Sequence, residues 1–180
     1  MKSITLNMTG ETITFVKTGK ETNGDYTEII CSILAGQNGP GPHIHPLQEE
    51  YLEAVSGNLE LSADGKKITL EPGQSFTVKA NLSHSFANKT NEEIKFKAIY
   101  RPGLNIDYFL VQAFDGLNKL PNPKKPSFQM IVDIDFILKE IPGQYKVAGV
   151  PTFILTLFAS IGKLFTKPRV QSLNEYSKSL

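Results

Sequence analysis

The stretch GPHIHPLQEE, Gly41 to Glu50, decides how this chain is read. His43 and His45 stand at i and i+2, and on an extended strand such side chains project from one face, as two ligands of a single metal ion must. Pro46-Leu47-Gln48-Glu49 has the length and polarity of a turn between two strands, so a carboxylate can join from the next strand. Glu49 and Glu50 compete for that role. Leu52 and Ala54 are in phase with Glu50, whereas Glu49 shares its face with Tyr51, Glu53 and Val55. A second unpaired carboxylate inside a small barrel is costly, so Glu50 is expected to point inward. The third and last histidine, His84, follows two further hairpins, with Phe86 and Asn88 at alternate positions after it. Three imidazole nitrogens and one carboxylate oxygen suit one divalent transition metal ion, Fe, Mn, Ni, Cu or Zn, and are too rich in nitrogen for Ca²⁺ or Mg²⁺.

Outward from this stretch, apolar residues between Ile4 and Tyr100 alternate in short runs: Leu59 and Leu61, Phe76 and Val78, Ile94, Phe96, Ala98 and Tyr100. Asn23-Gly24, Asp64-Gly65 and Pro72-Gly73 fall between such runs, where residues tolerating positive φ close hairpins and corners. The pattern predicts roughly eight to ten antiparallel strands closed into a sandwich or small barrel, which protects its edges.

Beyond Arg101-Pro102-Gly103 the period lengthens. Ile106, Phe109, Leu110, Ala113 and Leu117 recur at three and four residue steps and predict a helix. A proline-rich break ends it, Ser127 can cap a second helix through Met130, Ile134, Ile137 and Ile141, and Pro142-Gly143 stops that one. A third apolar segment, Val150 to Phe165, has Pro151 in a position suited to a first helical turn, and a polar tail from Thr166 follows. The expected layout is an all-β dominated barrel over residues 1–102 with a helical C-terminal extension, 103–180, that is not an independent domain.

The spacing of the site residues resembles that of the cupin superfamily. Its first motif is Gly, five residues, His-x-His, three or four residues, Glu, six residues, Gly, and His43, His45, Glu50 and Gly57 fit it. Its second is Gly, five residues, Pro-x-Gly, two residues, His, three residues, Asn, met by Gly73, His84 and Asn88. Gln37 stands where the first glycine is expected and Lys79-Ala80-Asn81 replaces Pro-x-Gly; both departures fall in turns, and Asn81 can adopt the left-handed conformation that glycine supplies. The resemblance implies a jelly-roll β-barrel of a small, quercetin-dioxygenase-like kind, with a metal on His43, His45, Glu50 and His84. It also implies a dioxygenase or related oxidoreductase acting on a small oxygen-bearing molecule, in which Glu50 can serve as base. The rival reading is a cupin module that binds a small molecule without turnover.

The remaining sequence narrows the partners. Nineteen Lys and Arg against eighteen Asp and Glu give a net charge of +1, without the footprint of a nucleic-acid binder. With 40% hydrophobic and 21% charged residues, the chain has a globular composition. The single cysteine, Cys31, and an N-terminal stretch without an apolar signal core lead to the expectation of a reducing cytoplasm. Cys31 lies in an apolar run and reads as a buried, inert thiol; Asp133 and Asp135, two apart on a helix, diverge rather than form a dyad. Asn88 can orient a ligand or serve a hydrogen-bonded structural role. Val150 to Leu164 forms a helix of roughly 22 Å, short of the ~30 Å hydrocarbon core. It is expected to pack on the barrel or in a homodimer, with contact to a membrane surface as the second choice.

Overall fold

The computed structural model describes residues 2–179. Ten strands precede the first helix: β1 (Ser3–Leu6), β2 (Glu11–Lys17), β3 (Thr27–Ile33), β4 (His43–Ile44), β5 (Glu49–Ser56), β6 (Leu59–Ala63), β7 (Lys66–Leu70), β8 (Ser75–Val78), β9 (His84–Ala87) and β10 (Ile94–Arg101). They form two antiparallel sheets, ordered β1-β2-β3-β10-β5-β8 and, with a later strand β11 (Lys146–Val147), β11-β4-β9-β6-β7. The alternation read from the sequence is the alternation of burial. In β5, Glu50, Leu52 and Ala54 are buried while Glu49, Tyr51 and Glu53 are half-exposed. In β10, Ile94, Phe96, Ala98 and Tyr100 point into the core.

Turn chemistry sets the corners. Asp64 and Gly65 both have positive φ, 50° and 74°, the two-residue arrangement whose twist matches a β-hairpin, and it joins β6 to β7. Asn81 takes the left-handed conformation expected of it, with φ 68°, so the loop entering β9 keeps its shape without glycine.

The helices follow as α1 (Ile106–Asn118), α2 (Phe128–Glu140), α3 (Thr152–Gly162) and α4 (Leu173–Ser179). Ser127 caps α2 by accepting from the Met130 amide at 3.2 Å. α1 packs on β1 and on α2, and α2 with its C-cap adds Ile137 and Ile141 to the core.

Three features depart from expectation. The extension is not wholly helical, because β11 adds to the sheet edge beside β4, with Val147 opposite His43. The segment expected to be a polar tail carries α4 and is docked, with Val170 and Tyr176 buried and Arg169 paired to Asp133 at 3.0 Å. α3 lies on α2 rather than on the barrel. Its inward residues are the small Ala159 and Gly162, and a Cβ on Gly162 would meet Val132 Cγ2 at 2.8 Å, so close approach is made on that face. On the other face of α3 Phe153 is 72% exposed and Leu157 57%, and past the end of the helix Leu164 is 79% and Phe165 75% exposed. No helix among the described residues is long and apolar enough to cross a membrane.

Candidate metal centre

Register brings the four expected residues together. β4 pairs with β9 so that His43 faces His84, His45 leaves β4 two residues on, and Glu50 enters from β5. All four are buried, and one ligand atom from each lies within 4.8 Å of the others. Glu49 points away, to Lys79 at 3.1 Å.

The hydrogen bonds fix which nitrogens face the centre. His43 Nδ1 donates to Gly41 O at 3.0 Å and His84 Nδ1 to Leu82 O at 3.2 Å; a carbonyl only accepts, so both protons sit on Nδ1. In the neutral rings the Nε2 lone pairs are then free. His84 Nε2 is 2.7 Å from Glu50 Oε2. Two lone pairs facing each other at that distance need a cation between them, a proton or a metal ion. His45 Nε2 stands 3.4 Å from the same oxygen, and neither His45 ring nitrogen nor Glu50 Oε1 makes a hydrogen bond among the described residues. Each such buried orphan costs about 1–3 kcal/mol, and a shared cation would remove the cost at one His45 nitrogen and at Glu50. The donor set and its unsatisfied atoms therefore fit a metal ion.

Electrostatics agree with this. Burial alone would raise the Glu50 carboxyl, but the adjacent imidazoles of His45 and His84 outweigh it and hold the group well below the ordinary carboxylate range. Burial, reinforced by the other two imidazoles, pushes His43 down to about 3, leaving a neutral ligand. For His84 burial lowers the value, but Glu50 wins and the net shift is upward.

From His43 and His45 a cavity of about 500 Å³ runs along the barrel wall to α1 and α2. Phe86 lines it, while Leu52 and Phe76, paired with each other across β5 and β8, do not. Tyr145, on the loop after α2, stacks on His43 at 5.2 Å between ring centres and on Phe109 at 4.0 Å. Tyr100 pairs with Glu50 across β10 and β5, its ring 5.4 Å from His45. Sequence reasoning missed Tyr145, which no local pattern marks; Tyr100 was readable from its phase with Phe96 and Ala98. Asn88 is structural. Its Nδ2 donates to Ile33 O at 3.0 Å and Leu34 O at 3.1 Å, and its Oδ1 accepts from the Thr90 amide at 2.8 Å.

A double-sheeted β-barrel with this cluster at its mouth defines a class, and residues 29–100 match the Cupin_2 family, described as the cupin domain; this part of the chain is a cupin domain. Among characterised relatives, the polyketide synthase CurC of Streptomyces cyaneus is 34% identical, the match covering 44% of this chain and 60% of that protein. The chain thus spans about 60% of the length of that relative. A solved structure of a predicted oxalate decarboxylase from Thermotoga maritima superposes with a TM-score of 0.51 at 16% identity, covering 56% of this chain and 90% of that one. KdgF from Halomonas sp. gives 0.46 at 20% identity, covering 52% and 81%. The Thermotoga maritima structure shares the fold.

Proposed function

We propose that the protein holds one divalent transition metal ion on His43, His45, Glu50 and His84 and acts as a metal-dependent dioxygenase or related oxidoreductase on a small oxygen-bearing organic molecule. The observation that carries this reading is the buried four-donor cluster with its orphaned atoms, open to a cavity of about 500 Å³. The relative named above is called a polyketide synthase, and a polyketide, a carbon skeleton bearing oxygen at intervals, falls within that substrate class.

When bound, an ion of this kind supplies Lewis acidity to a substrate oxygen and, as Fe, Mn or Cu, a route for electrons to O₂. The chain supplies the rest. Glu50 Oε1 has no hydrogen-bond partner among the described residues, which leaves it a lone pair to accept a proton from a substrate hydroxyl or an acidic C–H. Phe86 and Phe109 give the substrate an apolar bed and exclude water from the site. Tyr145 fixes the His43 ring by stacking. The protein works in a reducing cytoplasm, where the buried Cys31 stays a thiol.

Elemental analysis of purified protein should find about one ion per chain, and His84→Ala should lose most of it. Loaded with Fe(II) or Mn(II), the protein should consume O₂ with a catechol, a flavonol or an enolisable dicarbonyl compound. A folded protein that refuses Fe, Mn, Ni, Cu and Zn ends the metal reading. Binding of metal and of such compounds without oxygen uptake makes it a binding module.

A further inference from the structure

We propose that the C-terminal helices complete a pocket for an uncharged, mainly apolar organic ligand, anchored away from the metal centre by the carboxyl of Glu11. The proposal deepens the preceding reading, on which its metal end rests; the pocket itself does not depend on it. The cavity has one wall of Phe86 and Phe96 from the barrel and another of Phe109, Leu110, Met130 and Ile134 from α1 and α2. The extension is thus part of the binding site, not only a surface for assembly.

Charge decides the ligand class. Among the described residues, no lysine or arginine lines this cavity. Away from the histidines, its carboxylates are Asp133 and Glu11. Asp133 is committed: Oδ1 accepts from the Arg169 amide at 2.9 Å and from Gln129 Nε2 at 2.8 Å, and Oδ2 from Arg169 Nη2 at 3.0 Å. Glu11 is not. It is 3% exposed, on the face of β2 shared by Ile13 and Phe15, and its side chain meets only the weak donor Cys31 Sγ, at 3.5 Å. Burial, partly offset by that thiol, raises its pKa to about 7. A ligand carboxylate or phosphate reaching past the metal centre would find no cation and a wall that is neutral or negative. A neutral ring system or chain finds aromatic and aliphatic contacts and one carboxyl able to hydrogen-bond a hydroxyl or carbonyl. A volume of about 500 Å³ holds such a molecule at the size of a typical small ligand.

Two fluorescent probes that differ by one charge test this on the full chain as purified: N-phenyl-1-naphthylamine, which is neutral, and 8-anilinonaphthalene-1-sulfonate, the same skeleton with a sulfonate. The neutral probe should bind saturably, one per chain, at least tenfold more tightly than the sulfonate. Ala113→Leu, which fills the helical part of the cavity, should weaken it at least tenfold with metal content unchanged; Ile134→Phe serves if that variant does not fold. Leu164→Lys with Phe165→Lys, on the exposed face beyond α3, should leave binding within twofold. Equal or tighter binding of the sulfonate, loss of binding in the Leu164/Phe165 variant, or indifference to the filling variants would overturn the proposal. Metal titration of the same samples separates the failures: a protein that refuses Fe, Mn, Ni, Cu and Zn yet binds the neutral probe as described keeps the pocket and removes the metal centre, and a metal-loaded protein that does not bind it does the reverse.

Discussion

The barrel and the helices bury carboxylates to opposite effect. Glu50 and Asp135 are 1% and 2% exposed. Asp135 is saturated: it accepts from Lys139 at 2.8 Å, Lys163 at 2.9 Å and Thr156 at 3.0 Å, and so ties α3 to α2. Asp133 is equally committed, to Arg169 and Gln129. Among the described residues Glu50 keeps one oxygen without a hydrogen-bond partner, and the other lies between two imidazoles. A buried carboxylate whose lone pairs are all used is a structural tie, and one left unsatisfied among imidazoles is a site. Burial alone does not distinguish them.

The sharpest way to break this contrast is to remove each carboxylate and look for a different loss. Outer partners of metal ligands cost about 10–100-fold in affinity when removed, so a ligand itself should cost more. Glu50→Ala is expected to weaken metal binding more than about 100-fold, while Glu49→Ala, on the other face of β5, changes it less than twofold, as titration with Zn(II) would show. Asp133→Ala should leave metal content intact and destabilise the fold by about 3 kcal/mol in urea unfolding, because Arg169 loses its partner in a partly buried setting. If the two variants exchange effects, the assignment of tie and site is wrong.

The same contrast explains what could be read from sequence. In β5 the period of two fixes which of Glu49 and Glu50 faces inward as soon as Leu52 and Ala54 are placed in the core, and antiparallel pairing then puts His43 beside His84. A one-residue slip would have turned the whole set outward, so the register is strongly determined. The helices have no such constraint. The periodicity of α3 marks an apolar stretch, but its neighbour was chosen by the small residues Ala159 and Gly162, and nothing local says where α2 lies. Tyr145 reaches His43 from a loop, and Glu11 joins the cavity wall by a pairing of β2 that its own sequence does not reveal.

Glu11 is a third case, a buried carboxyl that keeps its proton up to about pH 7 instead of being tied or shared. Its pKa is raised from 4.5 to about 7 on folding, so between those values the folded protein binds more protons than the unfolded chain. Stability therefore falls as pH rises from about 4.5 through 7 and the loss is complete above that. Glu11→Gln keeps the shape without the charge. It should match the wild type at pH 4.5 and exceed it at pH 8 by about 2–3 kcal/mol, measured by urea unfolding at both values. A constant difference between the two pH values would show that Glu11 is ionised in the folded state.

The smallest expected effect on folding lies on the outer face of α3, where the contrast is between apolar side chains that are buried and those that are not. Phe153 and Leu157 are already mostly in water, so Phe153→Ser with Leu157→Ser should change the stability of the single chain by less than about 0.5 kcal/mol. Association is another matter. In a two-fold dimer the surface is used twice, and burying Phe153 and Leu157 of α3 with Leu164 and Phe165 just past its end, from both copies, would contribute roughly 10 kcal/mol or more in gross terms. The cost of association is about 4–15 kcal/mol, so the net affinity rests on few side chains and is sensitive to each. We expect a homodimer through this face, which the double variant should convert to monomer in sedimentation velocity at micromolar concentration. A variant that sediments like the wild type removes the dimer from α3, and if it also loses co-sedimentation with anionic liposomes, the face serves a membrane surface instead.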